Sequence, residues 1–269
     1  MKKILAVTLF LLFTFTLQSH CGPVNIPNIE NEEFLSAEKT ISLSGELLYK
    51  VKTETHTDSL ELTLANIKLP ELIVALNNDN ARKTFWINIY NAWFQILSKR
   101  EKKTKPEIFT KKLISIAETK FSLDDIEHCI LRKHQWKLGG GHIPQACPRK
   151  IITQLEVSKK DYRIHFALNC GAKSCPPIAF YKYEKIEAEL EIAASSFLNS
   201  ETEIDEVKNV VTVSKIMQWF KGDFGGNDGI TKILSKYLLK DFSPYTIRYK
   251  KYDWNEHLSN FATDNEINR

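Results

Sequence analysis

The sequence has no strong excess of charge of either sign. Its 269 residues include 37 Lys and Arg and 33 Asp and Glu, which gives a formal net charge of +4. Without Lys2 and Lys3 near the N-terminus, 35 basic residues face 33 acidic ones. A balanced chain without a long basic block gives no reason to expect a nucleic-acid partner.

The N-terminal apolar stretch, Ile4 to Leu17, is too short for a transmembrane helix, at about 14 residues against the roughly 20 required. Two lysines, Lys2 and Lys3, precede it, and small residues around Ser19 follow it. This layout is typical of a secretory signal peptide. We therefore assign residues 1–20 to a signal peptide and predict an exported protein, in the periplasm, in the cell envelope or secreted.

Cys21, directly after this region, raises the alternative of a lipoprotein anchored through its thiol. Gln18 and His20 fit the small-residue pattern that precedes a lipid-bearing cysteine poorly. The free exported form is therefore favoured over lipid anchoring at Cys21.

No internal repeat or low-complexity tract divides the remaining chain. Residues 21–35 have the composition of a tether, 36–255 are long enough for one domain, and 256–269 form a polar tail. Amphipathic helical patterns dominate, whereas 207–213 and 246–252 are typical of strands. We predict an α+β fold, a single domain with helices packed on a small, mainly antiparallel sheet.

The greatest density of reactive side chains lies between Arg163 and Ile178, in R-I-H-F-A-L-N-C-G-A-K-S-C-P-P-I. The apolar run before Asn169 is short enough for a buried strand, and the residues after it are typical of a turn. An exposed thiol at a strand end, with backbone N–H groups nearby, is suited to nucleophilic catalysis. Cys170 is the predicted nucleophile, and Cys175 is either its redox partner or a structural neighbour.

A cysteine nucleophile needs a neighbouring group that lowers its pKa, most often an imidazole. His165 lies five residues before Cys170, and in a strand this odd separation places the two side chains on opposite faces. His128 lies in a predicted helix that starts at the capping pair Ser122 and Asp125. That helix could present its imidazole to the strand end, so His128 is the better base candidate.

Three further residues are candidates for orienting the second ring nitrogen of His128: Glu127, Asn88 and Asn91. Asn88 and Asn91 are three residues apart in an aromatic-rich predicted helix and would share one face. A buried amide must be hydrogen-bonded, so these side chains either satisfy backbone groups in the core or orient a site residue. The spacing by itself favours the structural role.

Five blocks of the sequence, in this order, resemble the domain-of-unknown-function 547 family and span about 170 residues. They are F-W-I-N-I-Y-N-A-W at Phe85–Trp93, I-E-H-C-I-L-R at Ile126–Arg132, H-F-A-L-N-C-G-A-K-S-C-P-P at His165–Pro177, S-K-I-M-Q-W-F-K-G-D-F at Ser214–Phe224 and Y-D-W-N at Tyr252–Asn255. The resemblance implies an exported bacterial member but no particular reaction. If the two cysteine positions of the third block also occur in reducing compartments, an obligatory disulfide explains them less well.

An aromatic-rich helix with a cysteine and a histidine is also similar, at the level of fold, to papain-like and transglutaminase-like enzymes. The favoured function is therefore a cysteine-dependent hydrolase or acyltransferase that acts on peptide- or amide-like substrates. The alternative is a non-catalytic envelope binding module stabilised by disulfides. Its four cysteines would be Cys129, Cys147, Cys170 and Cys175.

A third and weaker hypothesis is a zinc site formed by Cys170, Cys175 and either His128 or His165. A C-x4-C spacing without a second pair of ligands is a weak metal pattern. The triple glycine at 139–141 lacks the Gly-Lys-Ser/Thr end of a phosphate-binding loop, and it is typical of a lid or rim. We therefore predict neither a metal nor a cofactor.

Overall fold

The computed structural model describes residues 36–137, 139–144 and 149–263. The predicted signal peptide and tether, Cys21, Cys147 and the last six residues of the predicted tail lie outside the described residues. Helices and two small sheets form an α+β arrangement, as predicted. Within the described ranges, no helix combines the length and hydrophobicity that a membrane span requires.

Helices account for most of the regular structure. The α-helices are α1 (Ala37–Lys52), α2 (Asp58–Asn66), α3 (Leu69–Ala75), α4 (Asp79–Gln95), α5 (Glu107–Thr110), α6 (Lys150–Leu155), α7 (Ile186–Glu201), α8 (Ile216–Trp219) and α9 (Gly226–Leu238). Ile96–Arg100 and Asp125–Leu131 are π-helical, and Tyr162–Phe166 and Tyr183–Lys185 are 3₁₀-helical. Pro70 lies in the first turn of α3, where its missing N–H removes no helical hydrogen bond.

Helix α4 is the buried centre of the main hydrophobic cluster. Its N-cap, Asn78, accepts a hydrogen bond from the N–H group of Ala81 at 3.0 Å. Apolar and aromatic side chains are buried on all sides of the helix, and α1 packs along it. A helix that is apolar around its whole circumference belongs in a core, so the sequence pattern predicted this position correctly.

The strands form two separate small sheets in the described part of the chain. One pairs β1 (Ile114–Ile116) with β2 (Thr119–Phe121) antiparallel. The other has the order β3 (Glu203–Asp205), β4 (Val210–Val213), β5 (Thr246–Tyr249). In it β3 and β4 are antiparallel and β4 and β5 are parallel. The predicted mainly antiparallel character is confirmed, and both predicted strands are present within shorter bounds.

The predicted strand before Asn169 is wrong, because Tyr162–Phe166 is a 3₁₀-helix. Asp161 caps it by accepting a hydrogen bond from the N–H group of Arg163 at 3.1 Å. A five-residue apolar run has no periodicity that separates a strand from a helical turn. The alternation argument that placed His165 opposite Cys170 therefore does not apply to this structure.

This 3₁₀ segment lies where two hydrophobic clusters meet. The side chain of Phe166 belongs to a cluster formed by α7, α9 and β4. The next residues, Ala167 and Leu168, belong to the cluster around α4. The cysteine-bearing loop that follows is therefore attached to both halves of the core.

Candidate functional site

Two buried asparagines hold the loop that carries the cysteines. Asn91 on α4 donates from Nδ2 to the carbonyl of Ala167 and accepts the N–H of Asn169 at Oδ1, both at 2.9 Å. Asn169 in turn donates from Nδ2 to the carbonyl of Pro176 at 2.7 Å and accepts the N–H of Gly171 at 2.8 Å. Each buried amide both donates and accepts a hydrogen bond, and together they fix the turn at Cys170.

Gly171 lets this turn lie directly against α4. Its φ is +71°, and a Cβ there would come within 2.6 Å of the ring of Phe94. Any other residue would be strained both by its backbone conformation and by this contact. The turn is therefore packed as closely on the helix as backbone atoms permit.

Asn88, the other asparagine on this helix, has a purely structural set of contacts. Its Nδ2 donates to the carbonyl of Tyr181 at 2.8 Å, and its Oδ1 accepts the N–H of the same residue at 3.1 Å. A longer contact of 3.4 Å joins Nδ2 to the hydroxyl of Ser44. In the described structure, the hydrogen bonds of Asn88 and Asn91 go to these groups and do not include His128.

The thiols of Cys170 and Cys175 are free and in direct contact, with their sulfur atoms 2.6 Å apart. The hydroxyl of Tyr252 lies 3.1 Å from Cys175 Sγ and 3.4 Å from Cys170 Sγ. The backbone N–H of Cys170 also donates to Cys175 Sγ, at 3.1 Å. Cys170 is partly exposed and Cys175 is buried. The loop thus presents one accessible thiol with a second thiol immediately behind it.

The contact between the two sulfur atoms shifts the pKa values of the two thiols in opposite directions. The hydrogen bond from Cys175 lowers the pKa of Cys170 to about 7, and Tyr252 contributes a second hydrogen bond. Burial, followed by the proximity of Cys170, raises the pKa of Cys175 well above its ordinary value. Near neutral pH, the accessible sulfur is therefore partly thiolate and the buried one is a thiol.

The C-terminal segment 252–257 holds Tyr252 against the thiols. The N–H groups of Lys173, Ser174 and His257 donate to the carbonyls of Asn255, Asp253 and Gly171 at 2.9, 3.3 and 2.8 Å. The described part of the predicted tail is thus hydrogen-bonded to the cysteine loop. Sequence reasoning did not select Tyr252 as a site residue, although the Y-D-W-N block was part of the family resemblance.

A second polar cluster is centred on Asp223, another residue that sequence reasoning missed. Its Oδ2 accepts hydrogen bonds from Arg132 Nε at 2.6 Å and from His165 Nε2 at 3.0 Å. Burial raises the pKa of Asp223, but the hydrogen bond and charge of His165 and the charge of Arg132 outweigh it, so the pKa lies well below its usual range. The side chain of Asp223 is 3% exposed and that of Arg132 is 1% exposed.

The glycine-rich loop closes over this cluster. At Gly141 φ is +82°, and a Cβ there would lie 2.6 Å from Oδ1 of Asp223. The carbonyl of Gly140 accepts the N–H of Gly222 at 2.5 Å. The loop therefore covers the buried carboxylate in the present conformation, and only glycine permits this close approach.

The two histidines belong to this cluster and are not bonded to a thiol. His128 Nδ1 lies 2.9 Å from Arg132 Nη1 and must accept, since a guanidinium only donates. Burial, followed by the charge of Arg132, lowers the pKa of His128 to about 3. His165 stacks on Phe220 with ring centroids 4.1 Å apart, and burial lowers its pKa despite the carboxylate of Asp223. In the described chain, the side-chain hydrogen-bond partners of Cys170 Sγ are Cys175 and Tyr252.

Glu127 lies between the cluster and α4. Its Oε2 accepts from the hydroxyl of Tyr90 at 3.2 Å, whereas its Oε1 is 3.6 Å from His128 Nδ1, beyond a good hydrogen bond. Burial raises the pKa of Glu127, although Arg132 and His165 oppose this effect. Glu127 and His128 are therefore close in space, as the predicted pairing requires. However, Nδ1 of His128 accepts its hydrogen bond from Arg132.

The depressed pKa of His128 predicts a pH-dependent stability. Between its unperturbed pKa of 6.5 and its folded value of about 3, the unfolded chain binds a proton that the folded protein does not. The free energy of unfolding should therefore fall as the pH drops through this window, by up to about 1.4 kcal/mol per pH unit for this group. His165 acts in the same direction and Glu127 in the opposite one.

Urea unfolding at a series of pH values tests this dependence by comparing the wild type with His128→Gln. The amide oxygen of glutamine can still accept from Arg132, but it does not titrate. The free energy of unfolding of the wild type should fall relative to that of the variant as the pH drops below about 6.5. Parallel curves for the wild type and the variant would contradict the assignment of a neutral His128.

The other cysteine and metal hypotheses have different outcomes. Cys129 is disulfide-bonded. The second disulfide expected for the binding-module hypothesis is not formed, since Cys170 and Cys175 are free. Across the described ranges, no group of three or more His, Cys, Asp or Glu side chains is arranged to hold a metal ion. These ranges therefore contain no site of the kind that the zinc hypothesis requires.

Comparison with known proteins gives one match. Residues 74–198 match the family model described as "Protein of unknown function, DUF547", which supports the predicted domain-of-unknown-function family. The match includes the first three of the five sequence blocks, and Tyr252 and Asp223 lie beyond it. No curated protein and no solved structure matches the chain.

Proposed function

We propose that the chain is a thiol–disulfide oxidoreductase in which Cys170 is the nucleophile and Cys175 is the resolving thiol. The observation that supports this function best is the direct contact of the two sulfurs at 2.6 Å beside the Tyr252 hydroxyl, which lies within hydrogen-bond distance of both. Thiol–disulfide exchange requires a thiolate, a second thiol within reach and access for a disulfide substrate. The partly exposed Cys170 and the buried Cys175 meet these requirements.

The exchange proceeds in two balanced steps. The Cys170 thiolate attacks one sulfur of a substrate disulfide, the substrate S–S bond breaks, and the other substrate sulfur leaves as a thiolate that takes a proton from solvent. Cys175 then attacks Cys170 Sγ and its proton passes to the second substrate thiolate, which leaves as a thiol while the Cys170–Cys175 disulfide forms. The substrate is reduced by two electrons and the protein dithiol is oxidised by two.

The predicted hydrolase or acyltransferase activity fits this geometry less well. The N–H groups of Cys170 and Gly171 donate to Cys175 Sγ and to Asn169 Oδ1, so they are already occupied and offer no oxyanion site. The imidazoles of His128 and His165 are bonded to Arg132 and Asp223. Acyl transfer remains a prediction that would require these bonds to rearrange.

Export, predicted from residues 1–20, is part of the same proposal. A disulfide such as that of Cys129 persists in an oxidising compartment. A second, free dithiol in such a compartment can exchange with the disulfides of other exported proteins. The proposed site of action is therefore the cell envelope or the external medium.

Alkylation of the reduced protein tests the proposed nucleophile. Iodoacetamide should modify Cys170 before Cys175, with a rate that rises through a midpoint near pH 7, because only the thiolate reacts. Tyr252→Phe should move this midpoint upward by removing a hydrogen bond to the thiolate. Tyr249→Phe is the matched control, since the hydroxyl of Tyr249 has no hydrogen-bond partner among the described residues.

Modification of both cysteines at the rate and midpoint of free cysteine would overturn the assignment. A second measurement equilibrates the protein with mixtures of reduced and oxidised glutathione and follows the Cys170–Cys175 disulfide by mass spectrometry. We expect a reversible two-electron transition. Failure to form this disulfide under any oxidising mixture would exclude the proposed function.

A further inference from the structure

An aromatic surface lies directly beside the two thiols. Trp219, Tyr252 and Trp254 form this surface, which we call the aromatic face. Their ring centroids are 4.6 Å apart for Trp219 and Tyr252, 4.5 Å for Tyr252 and Trp254, and 5.5 Å for the two tryptophans. The hydroxyl of Tyr252 hydrogen-bonds to both sulfurs, so this residue belongs to the aromatic face and to the thiol site.

Trp254 leaves 55% of its surface exposed to solvent. A single exposed aromatic side chain needs no explanation. Three contiguous aromatic rings, one of which contacts the dithiol through its hydroxyl, are different, because large apolar side chains with one polar edge are enriched where proteins bind partners. The indole of Trp254 is therefore available to a molecule that approaches Cys170.

The position of the aromatic face relative to the thiols is fixed by the backbone. Asp253 and Asn255, on either side of Trp254, accept hydrogen bonds from the N–H groups of Ser174 and Lys173 at 3.3 and 2.9 Å. The N–H of Asp253 also donates to the hydroxyl of Ser174 at 2.9 Å. Ser174 and Lys173 lie between the two cysteines in sequence, so the face and the thiols form one preorganised unit.

Lys105 interacts with both the aromatic face and the thiol site. Lys105 Nζ lies over the ring of Trp254, 4.5 Å from its centroid. Its charge also acts on Cys170, whose pKa is lowered most by the hydrogen bond from Cys175 and further by Lys105. A cation at this point favours substrates with a carboxylate close to the disulfide over substrates with a basic group there.

We propose that the aromatic face binds an aromatic side chain adjacent to the disulfide that Cys170 attacks, so that the substrate is a disulfide-bonded polypeptide. This inference rests on the proposed function and names its substrate class. In an extended peptide, side chains two residues apart point to the same side and are separated by about 7 Å. Tyr252 contacts both Trp254 and Cys170 Sγ, so an aromatic residue two positions from the substrate cysteine is suited to bind at Trp254. The exchange itself follows the two balanced steps given above.

Two disulfide-bonded peptides test the inference. They are identical except for Phe or Ala two residues from the cysteine, and each reacts with the reduced full-length protein. The wild type should react faster with the Phe peptide by about tenfold, the effect of one well-packed aromatic contact. Trp254→Leu, which keeps apolar bulk, should bring the ratio of the two rates close to one, and Trp254→Phe should retain most of it.

Tyr49→Ala is the matched control, because Tyr49 is 60% exposed but packs on Phe180. It should keep the wild-type ratio. Equal rates with both peptides in the wild type, or an unchanged ratio in Trp254→Leu, would overturn the inference. If oxidised glutathione still reacts at Cys170 in that case, the proposed function stands. If neither the peptides nor oxidised glutathione react there, both fail.

Discussion

A Cys175→Ser variant, reduced and then treated with a disulfide, is expected to accumulate a stable mixed disulfide on Cys170. In the wild type, Cys175 Sγ lies 2.6 Å from Cys170 Sγ, and we expect it to resolve such an adduct as it forms. Serine has no sulfur with which to attack, so the second step of the exchange stops. Intact-mass analysis after acid quenching should show one substrate thiol bound per molecule in the variant and the internal disulfide in the wild type.

The reciprocal variant, Cys170→Ser, distinguishes the roles of the two thiols. It leaves Cys175 buried and without the neighbouring sulfur, and its reaction with the same disulfide near pH 7 should be at least about tenfold slower than that of the wild type. The double variant Cys170→Ser/Cys175→Ser gives the background rate. If Cys170→Ser traps substrate as fast as Cys175→Ser does, the nucleophile is Cys175 and the assignment is reversed.

Asp223→Asn is expected to destabilise the protein by about 3–5 kcal/mol, the usual cost of removing one partner of a buried ion pair. The guanidinium of Arg132 is 1% exposed and would lose its carboxylate partner at 2.6 Å. His165 Nε2 would keep at most an uncharged amide oxygen as the acceptor of its hydrogen bond. Urea unfolding at neutral pH should show a much lower midpoint for the variant.

Two further variants make this prediction specific. In Arg132→Met/Asp223→Leu both charges are replaced by apolar side chains, so no buried charge is left unpaired, and the loss should be smaller than in Asp223→Asn. Asp205→Asn is the matched surface control, since its pair with Lys208 at 2.9 Å is exposed and should contribute nothing measurable. An unchanged urea midpoint for Asp223→Asn would show that the pair adds no stability.

Local patterns in the sequence predicted the central helix α4 and the helix that starts at Ser122. The capping pair is present: Ser122 N–H donates to Asp125 Oδ2 and Asp125 N–H donates to Ser122 Oγ, each at 3.0 Å. The helix it starts is π-helical from Asp125 to Leu131, a detail that periodicity does not reveal. Caps and apolar repeats depend on residues three or four apart, so the sequence displays them directly.

The candidate site was predicted only in part. Cys170 and Cys175 were identified because the whole cysteine loop is contiguous in sequence. Their hydrogen-bond partner Tyr252 is 82 and 77 residues away, and nothing local marks a tyrosine as a thiol ligand. His128 was preferred as the base because the residues before Asn169 were predicted to form a strand. In the folded chain these residues begin with a 3₁₀-helix, so that reason does not apply.

The sequence by itself determined the α+β class, the buried central helix and the reactive cysteine loop, because short-range periodicity and contiguous residues carry that information. Tertiary structure decided what the loop contacts. Asp223 meets Arg132 across 91 residues and His165 across 58, and Arg132 in turn bonds to His128, so both imidazoles have hydrogen-bond partners other than Cys170. Pairings over such separations follow from the packing of distant elements, and one sequence without its fold does not specify them.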